Sequence, residues 1–397
     1  MSTAPTDTAI LTEIRPGRMY SSSVLRAARH FWSVPADATA TVLADELQRR
    51  PQIQVVAVLA EDGRALGLIR RDRLFALVSK PFGREILGRT PASELAEESP
   101  VYDAHAGIFA VAQDVLGAGA EEISPYQLLI DEGGSFQATL SAQDLANYMS
   151  RITQDDIELA GKLQERLQES NEAIGGEGWS FEAWSRPAKG VGGDFYFTRR
   201  MDDGRVFLAL CDVSGKGVAA SLVVSMTWGM LRVFDLRRGL GELIRTLNEA
   251  IVTTFHLEKY LTGFFAVYDP ATRNLSLADM GHSHVFLFRG RKAISPHMRR
   301  GNLPIGIERD IDPAIGRWRL EAGDRLFIYS DGLTEQENAA GEEYGERRLI
   351  RATSEAQPGA EGLHATVSEA IDAFRGRTPQ QDDMSFMLLS LDLVGTP

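Results

Sequence analysis

Aspartates stand beside four apolar, strand-like segments in the second half of this chain. The four places are Asp194 before Phe195–Phe197, Asp212 after Val206–Cys211, Asp331 after Leu326–Ser330, and the pair Asp382 and Asp383 before Met384–Leu391. A single aspartate next to a glycine is usually only a turn signal. Four such places in one region instead predict that several carboxylates meet at the end of a sheet. Hard divalent cations prefer oxygen ligands of this kind, so the pattern favours a metal site.

The stretch Val191–Gly217 indicates how two of these carboxylates can be brought together. Asp202–Gly204 is a turn signal between two strand-like runs, which predicts a β-hairpin. Asp194 and Asp212 then lie at the same end of that hairpin. The two glycines before Asp194 allow the backbone to come close to whatever lies between the carboxylates.

Six motifs in this region resemble the metal-dependent protein phosphatase (PPM) family, and most of all its bacterial branch, named for the sporulation phosphatase SpoIIE. They occur in the family's order between about Trp179 and Leu393: VGGDFY, DVSGKGVAASL, GHSHVFLFR, GNLPIGI, GDRLFIYSDGLTEQEN and QDDMS. Six ordered motifs are far more specific than one glycine-rich loop. The resemblance implies an α+β fold with a PPM-type αββα sandwich over residues 178–397. It also implies metal-dependent serine/threonine phosphatase activity.

The resemblance assigns ligands to the second of two metal ions. Asp212 matches the family's bridging carboxylate, and the backbone carbonyl of Val213 would complete the shell of that ion. Asp194 would bind the same ion directly or through a metal-bound water. The family usually continues its first motif as GGDFYD, whereas this chain has Phe197 in the last place. We interpret Phe197 as a structural residue rather than as a missing primary ligand.

For the first ion, the resemblance points to Asp331 and Asp382, with Asp383 either supporting Asp382 or binding in its place. The ions would be Mn²⁺ or Mg²⁺, about 3.5–4 Å apart, and would activate a water that attacks phosphorus in line. Lys189 lies five residues before Asp194, about where the family's eukaryotic branch has a phosphate-binding arginine. Lys189 is therefore either a ligand of the substrate phosphate or an exposed loop lysine.

The amino-terminal third repeats one pattern with a period of about seventy residues, which indicates an internal duplication. A helix, a strand, a turn, a strand and another helix occur twice. The predicted strands are Val55–Leu59, Ala65–Ile69, Tyr126–Ile130 and Phe136–Leu140. The pattern and the segment GRALGLIRRDRLFALV resemble a regulatory pair of cystathionine-β-synthase (CBS) modules over residues 20–140. Such pairs sense ligands, often adenine nucleotides, so Asp72 and Asp144 are either ribose ligands or helix caps.

A helical connector is predicted over residues 141–170, because apolar side chains recur in steps of three and four. They are Leu145, Met149, Ile152, Leu159 and Leu163, with Asp156 in the remaining place. The stripe is either the buried face of an amphipathic helix or a coiled-coil seam. The seam would make the protein a homodimer and couple the sensor to the enzyme. Residues 1–19 are predicted to form a flexible tail.

Composition argues against several other classes of protein. A net charge of −13 disfavours binding to nucleic acids or to anionic membranes. The single cysteine, Cys211, excludes an internal disulfide framework and fits a reducing compartment, which predicts the cytoplasm. A cysteine phosphatase needs an arginine six positions after its cysteine, and Gly217 stands there.

Phosphoserine or phosphothreonine on a signalling protein is the predicted substrate, because a sensor and a long connector suit regulated signalling. By resemblance, the target would be an anti-sigma-factor antagonist. A small phosphorylated metabolite is an alternative substrate. The competing hypothesis from another class is a degenerate phosphatase, which would be a non-catalytic, ligand-responsive scaffold. Retention of all four acidic places favours the enzyme, because like charges gather at a cost unless a cation is present.

Overall fold

The structure is a computed structural model that describes residues 10–15, 20, 22–117, 125–169, 174–290, 292–295, 301–355 and 362–392. The chain divides into two compact units, Met1–Gln154 and Asp155–Pro397. The boundary falls inside a helix, within the connector that the sequence predicted over residues 141–170. None of the described helices is both long and apolar enough to cross a membrane.

The first unit contains two copies of one supersecondary pattern. Each copy has a strand, a helix, an antiparallel pair of strands and a second helix. In chain order its elements are β1 (Thr12–Glu13), β2 (Trp32–Pro35), α1 (Ala40–Arg49), β3 (Val55–Leu59), β4 (Ala65–Arg70), α2 (Arg71–Val78), α3 (Gly83–Leu87), α4 (Ala92–Leu95), β5 (Val101–Asp103), α5 (Ile108–Gly117), β6 (Tyr126–Ile130), β7 (Phe136–Ser141) and the start of α6 (Ala142–Glu169).

The two copies also pair their strands in the same way. β2 is parallel to β3, and β5 is parallel to β6, whereas β3 with β4 and β6 with β7 are antiparallel. Both antiparallel pairs have a register shift at the equivalent place, after Val58 and after Leu129. The internal repeat predicted from the sequence is present. The parallel strand that opens each copy was not predicted.

The tail predicted for residues 1–19 is wrong in part. Thr12 and Glu13 pair with β2 in antiparallel register, and Leu11 is buried in the core of this unit. The apolar contact of Leu11 provides a reason for the chain to be ordered there. Residues 1–9 and 16–19 lie outside the described residues.

The predicted connector is a single helix, α6. Its first turns bury Leu145 in the core of the first unit, and Met149 and Ile152 pack against that core. Further along the same stripe, Leu159 and Leu163 are 58% and 54% exposed. The apolar stripe is therefore buried at its beginning and exposed at its end.

The second unit begins within α6 and continues with strands and helices that form a layered structure. Its elements are β8 (Gly175–Gly176), β9 (Trp179–Arg186), β10 (Phe195–Arg200), β11 (Val206–Val213), α7 (Val218–Val233), α8 (Leu240–Phe255), β12 (Leu261–Asp269), β13 (Asn274–Met280), β14 (Val285–Arg289), β15 (Lys292–Ile294), β16 (Gly316–Arg319), β17 (Arg325–Tyr329), α9 (Gly345–Glu355), α10 (Gly362–Arg375) and β18 (Met384–Leu391).

Two antiparallel sheets pack face to face in this unit. Across the described residues, the strand orders are β10-β11-β12-β13-β16 and β15-β14-β17-β18-β9-β8. Apolar side chains from both sheets, such as Leu208, Phe264, Ile328 and Met387, form the core between them. Helices α7 and α8 cover the first sheet, and α9 and α10 cover the second. The predicted αββα sandwich is confirmed.

Candidate metal centre

Strand periodicity explains why Asp212 faces the space between the two sheets. In β11, Leu208 and Leu210 belong to the core between the sheets, whereas the alternate residues Phe207, Ala209 and Cys211 belong to the core under α7 and α8. Because side chains alternate along a strand, Asp212 points to the same side as Leu210, near the end of the strand. Asp194 immediately precedes β10, which pairs with β11 in antiparallel register. The two carboxylates therefore lie at the same edge of the first sheet.

The second sheet brings its aspartates to this edge as well. β17 and β18 are antiparallel, so Asp331 after β17 lies beside Asp382 and Asp383 before β18. The two segments touch closely at Gly332, where an added Cβ would lie 2.0 Å from the backbone oxygen of Asp383. Any larger residue at position 332 would push the two segments apart.

Burial and mutual repulsion raise the pKa of the carboxyl groups in this cluster. Burial raises the pKa of Asp212 to about 7, together with the nearby charges of Asp331, Asp382 and Asp383. Burial and the Asp212 charge raise the pKa of Asp194 well above its ordinary value. The Oδ2 atom of Asp194 has no hydrogen-bond partner among the described residues. Gathered carboxylates of this kind are stabilised by a cation.

The ammonium group of Lys216 lies against the same cluster. Its Nζ atom is 2.7 Å from Oδ2 of Asp382 and 3.1 Å from the backbone oxygen of Gln381. Within the described ranges, no group of three or more His, Cys, Asp or Glu side chains already forms a metal-binding cluster. Carboxylate and carbonyl oxygens fit divalent cations as ligands. In this arrangement, however, the Asp382 carboxylate is paired with Lys216.

Replacing Lys216 with glutamine is expected to strengthen Mn²⁺ binding. The ammonium now neutralises Asp382, so an entering ion must displace it. An exposed ion pair of this kind contributes up to about 1 kcal/mol, which corresponds to an increase in affinity of up to about fivefold. Isothermal titration calorimetry would measure the Mn²⁺ affinity of the wild type and of the variant. Lys292→Gln, on the β14–β15 hairpin at the other end of the second sheet, is the control. Weaker binding by the Lys216 variant would contradict this expectation.

Asp382 and Asp383 differ in what their carboxylates contact. Asp383 is buried and accepts hydrogen bonds from the backbone N–H groups of Ala188, at 2.8 Å, and Gly193, at 2.6 Å. The Asp382 side chain is 34% exposed. Asp383 therefore holds the backbone of the loop that carries the first motif, while Asp382 keeps access to solvent.

The remaining predicted residues of this region occupy three different environments. Lys189 is exposed on the loop that Asp383 holds. Val213 ends β11, and its backbone N–H donates to the carbonyl of Gly193 at 3.2 Å. Phe197 is fully buried under α7, with ring centroids 6.0 Å from Phe207 and 5.7 Å from Trp228. Phe197 is thus a core residue on the face of β10 that points away from the carboxylates.

Two serines contribute to the site and were not predicted. The hydroxyl groups of Ser330 and Ser385 lie near Asp194 and partly oppose the rise in its pKa. Ser330 Oγ also accepts a hydrogen bond from the Ser385 backbone N–H at 2.9 Å, which ties β17 to β18. Alternation along the two strands places both side chains toward the opposite sheet, and this was the signal that could have identified them.

In the first unit, Asp72 and Asp144 both lie near Tyr126. Burial raises the pKa of the Tyr126 hydroxyl, and the charges of the two aspartates add to this rise. The Asp144 carboxylate accepts a hydrogen bond from Ser141 Oγ at 2.5 Å and is 3.1 Å from His30 Nε2. The Asp72 side chain is 75% exposed. Ser141 caps α6, because its Oγ accepts the Asp144 backbone N–H at 3.0 Å, and the Asp144 carboxylate is paired with Ser141 and His30, whereas Asp72 is open to solvent.

Comparison with known proteins gives a consistent description of the second unit. Residues 202–392 match the family model of stage II sporulation protein E (SpoIIE). The chain is 27% identical to the phosphoserine phosphatase RsbU of Bacillus subtilis over 210 residues, which are 53% of this chain and 61% of RsbU. It is 24% identical to protein IcfG of Synechocystis over 241 residues, which are 53% of this chain and 37% of IcfG. The chain thus spans less than two thirds of either relative.

A solved structure supports the same fold. The SiaA-PP2C domain of Pseudomonas aeruginosa superposes with a TM-score of 0.52 at 19% identity, over 62% of this chain and 99% of that domain. The second unit therefore has a PP2C-like α+β fold, and residues 202–392 within it match the SpoIIE family model.

Proposed function

We propose that this SpoIIE/PP2C-type domain makes the chain a metal-dependent protein serine/threonine phosphatase. The observation that carries the proposal is the meeting of carboxylates from two sheets, where burial and neighbouring charges raise the pKa of Asp212 to about 7. Two Mn²⁺ or Mg²⁺ ions would be held by Asp194, Asp212, the Val213 carbonyl, Asp331 and Asp382. When bound, such ions activate water and neutralise charge on a transferring phosphoryl group.

The chain's own residues have separate tasks in this proposal. Asp212 would face both ions, because it lies between the aspartates of the second sheet and Asp194. Asp383 would orient the first-motif loop rather than bind an ion, since its oxygens already accept backbone N–H groups. Lys189 is exposed on that loop and would bind the substrate phosphate through its ammonium group.

The proposed substrate is phosphoserine or phosphothreonine on a signalling protein, and the proposed target is an anti-sigma-factor antagonist. Similarity to RsbU, a phosphoserine phosphatase of Bacillus subtilis, supports phosphoserine as the substrate group. The test is release of phosphate from a phosphothreonine peptide and from an aryl phosphate, with Mn²⁺ and with a chelator in its place. Turnover of the aryl phosphate without the peptide would favour a small metabolite as substrate. No turnover of either would favour the non-catalytic scaffold.

The first unit is proposed to be a CBS-like sensor that regulates the phosphatase. Its duplicated pattern of strands and helices supports this assignment. An adenine nucleotide is the proposed ligand, with Asp72 the available ribose partner because Asp144 is paired with Ser141 and His30. We also propose that the protein acts in the cytoplasm, which is consistent with the buried, free thiol of Cys211.

A homodimer is proposed to form through the exposed end of the α6 stripe. Replacing both Leu159 and Leu163 with glutamate is expected to shift the protein to a monomer in sedimentation velocity, because each charge would enter the apolar seam. Lys162→Glu, which adds a glutamate at an exposed position of the same helix, is the matched control. A wild-type protein that sediments as a monomer at high micromolar concentration would contradict the dimer.

A further inference from the structure

Gln164, on α6, uses both ends of its side-chain amide on one glycine. Its Nε2 atom donates to the backbone oxygen of Gly192 at 2.8 Å, and its Oε1 atom accepts from the backbone N–H of Gly192 at 3.1 Å. Gln164 is 7% exposed, so these hydrogen bonds are made away from water. A buried polar side chain with two matched partners fixes the distance and the orientation between two segments.

Backbone contact one turn earlier brings the same two segments together. An added Cβ on Gly161 would lie 2.1 Å from the backbone oxygen of Gly190. An added Cβ on Gly190 would lie 3.3 Å from a methyl group of Ile157. Ile157, Gly161 and Gln164 follow steps of four and three, so they share one face of α6. This face differs from the exposed stripe of Leu159 and Leu163.

The loop that α6 contacts is the loop that ends in Asp194. Asp383 holds it from the other side through the N–H groups of Ala188 and Gly193. A cavity of about 280 Å³ lies between the helix and the loop, and Gly161, Gln164 and Asp194 are among the residues that line it. Asp194 Oδ2 lacks a hydrogen-bond partner in the described part of the chain, whereas the hydroxyl groups of Ser330 and Ser385 hydrogen-bond to the same carboxyl group. The loop sets where the backbone of Asp194 lies.

We infer that Gln164 is a positioning residue that sets the location of Asp194 relative to Asp212. Both hydrogen bonds go to Gly192, two residues before Asp194, so a rotation or slide of α6 breaks both bonds together. The position of Asp194 then depends on the register of α6 against the loop. A displacement of about 1 Å in such a site costs up to about 100-fold in rate. The inference rests on the proposed function, because it assigns Asp194 to metal binding.

The test compares Gln164→Met with Arg166→Met in the full chain. Methionine keeps the length of the glutamine side chain but removes both hydrogen bonds, and Arg166 is exposed on the same helix. Calorimetry is expected to show Mn²⁺ affinity weakened by about 10- to 100-fold in Gln164→Met, the range for residues that orient metal ligands. Arg166→Met is expected to bind as the wild type does. Excess Mn²⁺ is expected to restore part of kcat, with little change in KM for the peptide.

Hydrogen exchange gives a readout that needs neither metal nor turnover. The Gly192 N–H is expected to be protected in the wild type and to exchange faster in Gln164→Met, while amides in β11 keep their protection. Gln164→Asn retains an amide but is one methylene shorter, so the Gly192 N–H is expected to exchange faster in this variant as well. It replaces Gln164→Met in the test if that variant does not fold.

The outcomes separate this inference from the proposed activity. Unchanged Mn²⁺ affinity in a folded Gln164→Met protein would overturn the inference, as would an unprotected Gly192 N–H in the wild type. Mn²⁺ binding that weakens in Gln164→Met, in a protein that hydrolyses neither test substrate, would support the inference and reject the phosphatase. If the wild type is active and Gln164→Met is equally active at limiting Mn²⁺, the phosphatase is supported and the role of Gln164 is rejected.

Discussion

Asp212→Asn is expected to reduce Mn²⁺-dependent hydrolysis by at least about 100-fold while the protein stays folded. Residues that only support a metal ligand already cost up to that factor, and Asp212 would itself contact both ions. Asparagine has nearly the same shape but carries no charge. It also removes a carboxylate that repels Asp194 and the aspartates of the second sheet. Phosphate release from a phosphothreonine peptide, measured over a series of Mn²⁺ concentrations, would test this expectation.

Asp203→Asn is the matched control for this substitution. Asp203 lies in the turn of the same β10–β11 hairpin, where it is 47% exposed and paired with Arg205. The Asp203→Asn substitution should keep turnover and Mn²⁺ dependence within about twofold of the wild-type values, because an exposed ion pair contributes little to stability. Full activity in Asp212→Asn would remove Asp212 from the metal site. A wild type that binds Mn²⁺ without turnover would instead support the scaffold.

Phe197→Asp is expected to destabilise the protein strongly and to add no metal ligand. Truncating a buried phenylalanine to alanine costs about 3–5 kcal/mol, and a carboxylate without a partner in the same place costs more. Phe197 is fully buried against Phe207 and Trp228, on the face of β10 under the helices. The new carboxylate would therefore point away from Asp194. Urea unfolding followed by tryptophan fluorescence, with and without Mn²⁺, would measure the effect.

Phe197→Leu provides the comparison at the same position. Leucine leaves the core apolar, so its cost should be well below that of aspartate. If Phe197→Asp unfolded near the wild-type urea concentration and bound Mn²⁺ more tightly, the position would be a ligand site. The departure of this chain from the family's usual GGDFYD motif would then have weakened its metal binding.

The sequence predicted the aspartate cluster well because each acidic residue adjoins a strand of clear apolar pattern. The predicted runs Val206–Cys211 and Met384–Leu391 became strands β11 (Val206–Val213) and β18 (Met384–Leu391). In each sheet, the strands whose ends carry the carboxylates could therefore be predicted from the sequence. The strand that opens each copy of the amino-terminal repeat was missed, because β2 and β5 have only four and three residues, too few to show a clear apolar period in the sequence.

Residues that act through the backbone could not be predicted in the same way. Gln164 lies 28 positions before Gly192, and nothing in a helical sequence signals that a side-chain amide will bind a particular loop. The sequence did not decide whether Asp382 or Asp383 is the ion ligand. Only the three-dimensional contacts show that the Asp383 carboxylate accepts hydrogen bonds from backbone N–H groups. Long-range polar pairs of this type depend on how the elements pack, which local pattern does not encode.

The carboxylates come from different sheets of one sandwich, and this links ion concentration to the folding equilibrium. Asp194 and Asp212 belong to one sheet, and Asp331 and Asp382 to the other, so the site exists only while the sheets are packed together. A carboxyl whose pKa is raised on folding favours the folded state less as the pH rises from about 4 toward 7, since it must then lose its proton inside the protein. Cations that bind only the folded form act in the opposite direction by mass action, by about 2.7 kcal/mol at one hundred times the dissociation constant. Divalent ions would thus stabilise the packing of one sheet on the other. Their concentration would then set the free energy of unfolding as well as the phosphatase activity.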